Sequence, residues 1–265
     1  MFVAGYFASA LIGVSLGLIG GGGSILTVPV LVYLFGVEPV AATAYSLFIV
    51  GATSLVGTLP KYREGLVNLK TALIFGVPSI AAVYATRAWL VPSIPDPVFS
   101  VGGFVATKAV FMMSIFAVLM VFASVSMIFG RKKEADPVLT EQHFNYPMIL
   151  LEGLVVGTLT GLVGAGGGFL IIPALVVFSG LPMKQAIGTS LLIIAMKSLF
   201  GFLGDLSHYR LDWWLLGVMT ALSVAGIFVG NRLSRTIDGE KLKKGFGWFV
   251  LAMGCYILLK ELYFK

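Results

Sequence analysis

A glycine run interrupts an apolar stretch twice in this chain, at positions 144 residues apart. The first run is Gly17-Leu18-Ile19-Gly20-Gly21-Gly22-Gly23-Ser24, with Pro29 following. The second is Gly161-Leu162-Val163-Gly164-Ala165-Gly166-Gly167-Gly168, with Pro173 following. Glycine in a helix interior costs about 1 kcal/mol relative to alanine, so each run favours a break. The surroundings are those of a membrane protein: 58% of residues are hydrophobic and 11% charged, and mean hydropathy is +0.99. Several stretches approach the length of about 20 apolar residues that crosses a bilayer. A helix broken at that depth strands backbone N–H and C=O groups that lipid cannot satisfy, so it must be covered by protein or line a cavity. Paired breaks in matching halves point to the binding site of a secondary transporter.

The matching extends beyond the glycines. At the same offset Leu31-Val32 pairs with Leu175-Val176, Gly36 with Gly180, Ser46-Leu47 with Ser190-Leu191, Ser54-Leu55 with Ser198-Leu199, and Gly57 with Gly201. This register predicts a duplication, with one repeat over 1–130, a hydrophilic cytoplasmic linker over 131–146, and a second repeat over 147–265. The first repeat reads as an apolar block at 2–19, a short piece at 24–35, and spans near 40–59, 71–91 and 105–129. The second reads as 147–163, 168–179, 184–204, 213–231 and 245–262. The N-terminus lacks a basic region and a cleavage site, so it reads as a retained first span.

Loop charges set the expected orientation, because cytoplasmic loops carry the excess of lysine and arginine. Lys61, Arg63 and Lys70 mark one loop, Arg131, Lys132 and Lys133 the linker, and Arg232, Arg235, Lys241, Lys243 and Lys244 a third. Placing all three inside requires residues 147–179 to enter and leave on one side. The predicted fold class is therefore an all-α polytopic membrane protein of two inverted repeats. Each repeat is a glycine-broken hairpin, re-entrant or V-shaped, plus three transmembrane helices, and both termini face outward. The net charge of +6 is explained by these loops and does not describe a nucleic-acid surface. A single cysteine, Cys255, excludes an intrachain disulfide, and His143 and His208 alone argue against a metal site. No cofactor motif is visible. The expected partners are membrane lipid and a small anion.

The glycine signature, the proline nine residues after Gly20 and Gly164, and the run Gly188-Thr189-Ser190-Leu191-Leu192-Ile193-Ile194-Ala195-Met196-Lys197-Ser198 together resemble the TauE/SafE family. That resemblance covers nearly the whole chain. It implies a multi-pass permease of the prokaryotic plasma membrane, not an enzyme, that moves sulfite, sulfonates or sulfoacetate, typically outward. The alternatives in class are a passive anion channel and a permease for a non-sulfur anion.

A small oxyanion requires donors and positive potential. The half-helices expected to start at Ser24 and Gly168 would supply both through free N–H groups and the helix dipole. Candidate substrate-binding residues are thus Gly20, Gly21, Gly22, Gly23 and Ser24 in one break and Gly164, Gly166, Gly167 and Gly168 in the other. The competing reading is that the glycines only let helices pack closely. Lys197 lies mid-span, where a lysine costs about 2.5–3.5 kcal/mol even on lenient scales. It is either the anion's counter-charge or half of a buried pair with Glu152 or Asp205. Glu152, five residues into its span, and Asp205, at the end of its own, are proton-coupling candidates, with interfacial positions as the alternative. Ser46, Ser190 and Ser198, together with Thr43, Ser54 and Thr189, are hydroxyls on the spans after each hairpin. They either contact the ligand or bond to nearby backbone. Arg63 and Arg210, in the equivalent pairs Tyr62-Arg63 and Tyr209-Arg210, are gating candidates or members of the interfacial belt. Trp89, Trp213, Trp214 and Trp248 need only the belt.

Overall fold

The computed structural model describes residues 2–101, 104–129, 146–177, 179–206, 208–209, 211–234 and 239–263; the linker expected over 131–146 lies almost wholly outside them. The helices in chain order are α1 Phe2–Ile19, α2 Thr27–Leu34, α3 Pro39–Arg63, α4 Leu69–Ser93, α5 Lys108–Phe129, α6 Tyr146–Val163, α7 Gly168–Val177, α8 Met183–Asp205, α9 Trp213–Leu233 and α10 Gly239–Tyr263. Five segments are long and apolar enough to cross a membrane: Pro39–Arg63, Leu69–Ser93, Lys108–Val125, Met183–Asp205 and Trp213–Leu233.

Three boundaries depart from the sequence-based expectation. A short hairpin pairs β1 Phe99–Val101 with β2 Phe104–Ala106, Phe99 opposite Ala106, so the fold is helical but not purely α. The run Val98-Phe99-Ser100-Val101 is rich in β-formers. Helix α3 continues past Pro60 and takes Lys61 and Arg63 into its last turn. Proline removes its own N–H and crowds the carbonyl four residues back, yet the turn after it closes as Glu64 N–H donates to the Pro60 carbonyl at 3.0 Å. The first half-helix begins at Thr27, not Ser24, because Gly20–Leu26 winds as a 3-10 helix that runs into it.

Residues 144 apart occupy corresponding places. Helices begin at Phe2 and Tyr146, at Pro39 and Met183, and at Leu69 and Trp213. Gly36 (φ +71°) and Gly180 (φ +63°) both turn the chain out of the half-helices, where a left-handed residue suits glycine. The same turns close through Val37 N–H to Leu31 O at 3.0 Å and Leu181 N–H to Leu175 O at 3.1 Å. Asn68 and Asp212 cap the helices that follow, each accepting backbone N–H bonds on its side chain.

Packing is reciprocal. Helix α1 lies along α9 while α6 lies along α4; α3 packs on α8, and α5 on α10. The first helix of each half is thus held by the fourth helix of the other. Glycine makes the close approach possible. A Cβ on Gly13 would run into the Ser223 backbone, and one on Gly157 into that of Ser79. Gly226 and Gly230 meet Ala10 and Val14 in the same way. Ser223 Oγ also donates to Ser9 O at 2.9 Å across the α1–α9 seam. Small residues suit such seams because, in lipid, helices associate through packing rather than through exclusion of water.

A methyl group at these seams has nowhere to go. Gly13→Ala and Gly157→Ala are each expected to lower stability by about 1–3 kcal/mol through overpacking. Gly217→Ala, whose Cβ meets nothing within 4 Å, is expected to hold or raise it. Thermal unfolding in detergent, followed by tryptophan fluorescence, reads the difference.

Candidate functional site

The two glycine breaks meet inside the protein. Gly21 and Gly168 lie backbone to backbone, so that a Cβ on either would overlap the other. Around them the equivalent residues Val50 of α3 and Ile194 of α8 flank Gly166, and Ser24 packs beside it. Gly20 (φ +73°) and Gly164 (φ +72°) reverse the chain at the ends of α1 and α6; Gly166 (φ +63°) and Gly167 (φ +67°) also hold left-handed conformations. Gly20 rests on Ile187 and Gly164 on Thr43, again positions 144 apart. Gly20–Ser24, including Gly22 and Gly23, form the 3-10 turn, where Ser24 Oγ donates to Gly21 O at 2.7 Å. No helix N-terminus opens at Ser24. Gly168, by contrast, does open α7, so one half-helix, not two, starts at its glycine run.

Lys197 reaches that N-terminus. Its side chain is 1% exposed, and Nζ donates to Thr160 Oγ1 at 2.7 Å. A Cβ placed on Gly167 would sit 2.8 Å from Nζ, so glycine clears the space in which the ammonium lies. Among the described residues no carboxylate forms an ion pair with Lys197. The pairing with Glu152 or Asp205 weighed from the sequence is absent. Glu152 is partly exposed on α6, and Asp205 is engaged elsewhere. A buried cation and the positive end of α7 therefore share one place, with only a hydroxyl between them and the protein's other groups.

Asp205 lies two turns further along α8. Rather than meeting water at an interface, it is 1% exposed and forms an ion pair with Arg87 of α4, Nη1 to Oδ2 at 3.4 Å. Arg87 Nη1 also donates to Thr43 Oγ1 at 2.8 Å, while its Nε and Nη2 have no partner among the described residues. Arg87 sits in a π-helical turn, Thr86–Leu90, of the kind that often marks functional positions. The loop residue Tyr209 faces this pair; burial, and then the Asp205 carboxylate, push its phenol above the usual range. Arg87 was not singled out from the sequence. An arginine within the apolar segment 71–91 carries the same signal as Lys197, a charge at membrane depth.

The hydroxyls divide into two groups. Ser190 donates to Ile187 O at 2.8 Å, and Thr189 Oγ1 accepts the Asn68 N–H at 2.9 Å. In the corresponding place Tyr45 Oη accepts the Asp212 N–H. These two bonds tie the loops before α4 and α9 to α8 and α3. Ser46, Thr53, Ser54 and Ser198 are buried with no hydrogen-bond partner among the described residues. They lie on α3 and α8, which pack on one another. Arg63 is exposed in the last turn of α3, and Arg210 lies outside the described residues. The four tryptophans are all exposed, from 58% at Trp248 to 78% at Trp214.

Apolar helices wrapped around a buried polar centre of this kind define a multi-pass integral membrane protein built to handle a solute. The chain belongs to the sulfite exporter TauE/SafE family, whose model matches residues 6–257. It is 30% identical over 261 residues to a "Probable membrane transporter protein" of Xylella fastidiosa, covering 96% of this chain and 94% of that one. It is 27% identical over 234 residues to the "Probable membrane transporter protein YdhB" of Bacillus subtilis, covering 88% and 90%. A relative named in the same way from Methanocaldococcus jannaschii is 23% identical over 265 residues, covering 94% and 92%. No solved structure matches.

The geometry separates charge from scaffold. Lys197→Met keeps the stem and removes the charge, so it is expected to match or exceed the parent in thermal stability, because an unpaired buried ammonium is a cost. Gly167→Ala, forced to φ +67° beside Thr160 and Lys197, is expected to lose about 1–2 kcal/mol. Melting curves of both variants in the same detergent check the contrast.

Proposed function

We propose that the chain is a secondary transporter of a small sulfur oxyanion or sulfonate, working as an exporter by alternating access. The observation that carries this reading is Lys197, 1% exposed and without a carboxylate partner among the described residues, beside the N-terminus of α7. An anion there neutralises the ammonium and accepts from the first N–H groups of the half-helix. The breaks supply backbone rather than bulk, so the ligand can come close. The family's description as a sulfite exporter supplies the substrate class and the direction.

The reciprocal packing supports two repeats related by inversion. On this arrangement the α1–α2 hairpin enters from outside, the α6–α7 hairpin enters from the cytoplasm, and their tips meet at Gly21 and Gly168. Each end of the path is then closed by an equivalent loop tie, Asn68 to Thr189 at one and Asp212 to Tyr45 at the other. Loosening one tie at a time is the alternation that a transporter requires and a channel does not. Glu152, partly exposed on α6, remains the coupling-proton candidate on this reading.

Two measurements test it. Uptake of labelled sulfite into proteoliposomes, competed by sulfate, thiosulfate and small sulfonates, is expected to saturate. Lys197→Met is expected to weaken apparent affinity by about 10- to 100-fold, the range for a lost hydrogen bond to a charged group. Non-saturating flux, or a variant with unchanged flux, contradicts the reading. For inversion, Tyr62→Cys and Leu206→Cys are made in a Cys255→Ser background. Both sites are exposed, at 56% and 40%, and they lie 144 residues apart. Impermeant maleimide is expected to label them from opposite faces of the membrane; labelling from one face contradicts inversion.

A further inference from the structure

We propose that the Arg87–Asp205 pair is a gate over a second anion subsite, opened when the transported anion takes the place of Asp205 on the Arg87 guanidinium. The proposal rests on the transporter reading above and deepens it. Arg87 is fully buried, yet two of its three nitrogens lack partners among the described residues, and neither Asp205 oxygen makes a hydrogen bond. The pair is held at 3.4 Å, longer than the 2.7–2.9 Å typical of a charge-assisted bond, and without the bidentate fork that guanidinium and carboxylate frequently form. A buried pair closed this loosely leaves guanidinium donors that no described group accepts. A tetrahedral or pyramidal oxyanion, with several acceptor oxygens, satisfies more of them than the single carboxylate does.

The position fits a path that continues from Lys197. Arg87 bonds Thr43, and Thr43 packs directly on Gly164, while Lys197 lies against Gly167 of the same break. The two buried cations thus stand at the two ends of one four-residue glycine turn. The equivalent place in the other half is built differently. The counterpart of Arg87 is Asn231, buried with both side-chain polar atoms unpartnered among the described residues. The counterpart of Asp205 is Lys61, which turns away to Glu64 at 3.7 Å. One end of the path is closed by opposite charges and the other is not. On the loop-charge orientation the charged closure lies on the outer side, so an anion arriving from Lys197 meets Arg87 last before release.

The experiment follows the exposure of Thr43. Thr43→Cys in a Cys255→Ser background is reacted with a membrane-impermeant, positively charged methanethiosulfonate from the outer face of oriented vesicles. The anion used is methanesulfonate or sulfate, whichever competes better for sulfite uptake, because sulfite itself consumes the thiosulfonate and cleaves the disulfide it forms; binding of that anion to the same protein is measured in parallel. With the pair intact, the expected rate is slow, and the saturating anion raises it about tenfold, the shift that a preference of 1.4 kcal/mol for the open state produces. Asp205→Asn is expected to raise the rate by a similar factor without the anion, and Asp205→Glu, which keeps the charge, to leave it slow. Should Asp205→Asn not fold, Arg87→Gln breaks the same pair from α4 and is expected to match it.

A rate unmoved by the folded pair-breaking variant overturns the gate. A rate raised by that variant but unmoved by the anion, in protein that binds it, overturns displacement by the anion. If neither sulfite nor the unreactive anions bind the parent or the variants, it is the substrate reading that fails, while the variant arm still decides the gate.

Discussion

The contact between Gly21 and Gly168 is the constraint around which the rest of the structure is arranged. Two helices stop inside the apolar interior, and lipid cannot satisfy the backbone groups that a stop exposes. Covering each break with the other removes both from lipid, but only if neither carries a side chain at the crossing. The requirement then propagates outward. If the breaks are to touch, α1 must reach across to α9 and α6 to α4, and those seams are themselves lined with Gly13, Gly226, Gly230 and Gly157. The glycines of the seams and those of the breaks serve different ends of the same demand for close approach.

Within this frame, charge is placed where side chains are otherwise scarce. Burying an ammonium or guanidinium without a partner costs several kcal/mol, and proteins keep such groups when a ligand, water or another charge completes them. Among the described residues, the fully buried cations Arg87 and Lys197 lie on either side of one glycine turn. Arg87 has a carboxylate, loosely; Lys197 has a threonine hydroxyl. Both sit against the second break and none against the first, where the counterparts of Lys197 and Thr160 are Thr53 and Leu16. The positive potential that would recognise an anion therefore belongs to one half-helix, α7, even though the backbone offers two.

Much of this is legible in the sequence, for identifiable reasons. Breaks, helix count and offset follow from glycine and hydropathy patterns, because in lipid the apolar length of a segment largely decides whether it spans. Lys197 stands out because a charge at mid-span has few innocent explanations. Other features depend on geometry that composition does not encode. Whether Gly20–Leu26 ends a helix or tightens into a 3-10 turn is decided by the partner that Ser24 finds three residues back. Asp205 reads as interfacial from its place at the end of α8, and only the fold brings Arg87 to it. Arg87 itself hides near Trp89, where a cation beside an aromatic reads as belt until the π turn directs it inward. The β hairpin of Phe99–Ala106 is masked by its apolar neighbours, since a run of β-formers in a membrane protein resembles one more piece of span.

The departures from symmetry bear on what a duplicated frame can and cannot determine. If the two halves were identical, closing either end of the path would cost the same, and the protein would rest equally in both orientations. With Arg87 in the place of Asn231, and Asp205 in that of Lys61, one end carries an ion pair between two helices while at the other Lys61 pairs locally with Glu64; on the proposed gate the end bridged between helices is the harder to open in the empty protein. On the proposed alternating-access reading this sets which orientation rests and which step an anion assists, because a ligand shifts an equilibrium only by its differential affinity for the two states. It does not set the direction of net flux, which the anion and coupling gradients determine whatever the resting bias. What the asymmetry can do is make the assisted step specific. On the proposed gate, an end that opens when an oxyanion replaces a carboxylate on Arg87 stays shut for solutes without acceptor oxygens, and selectivity then enters there as well as at Lys197.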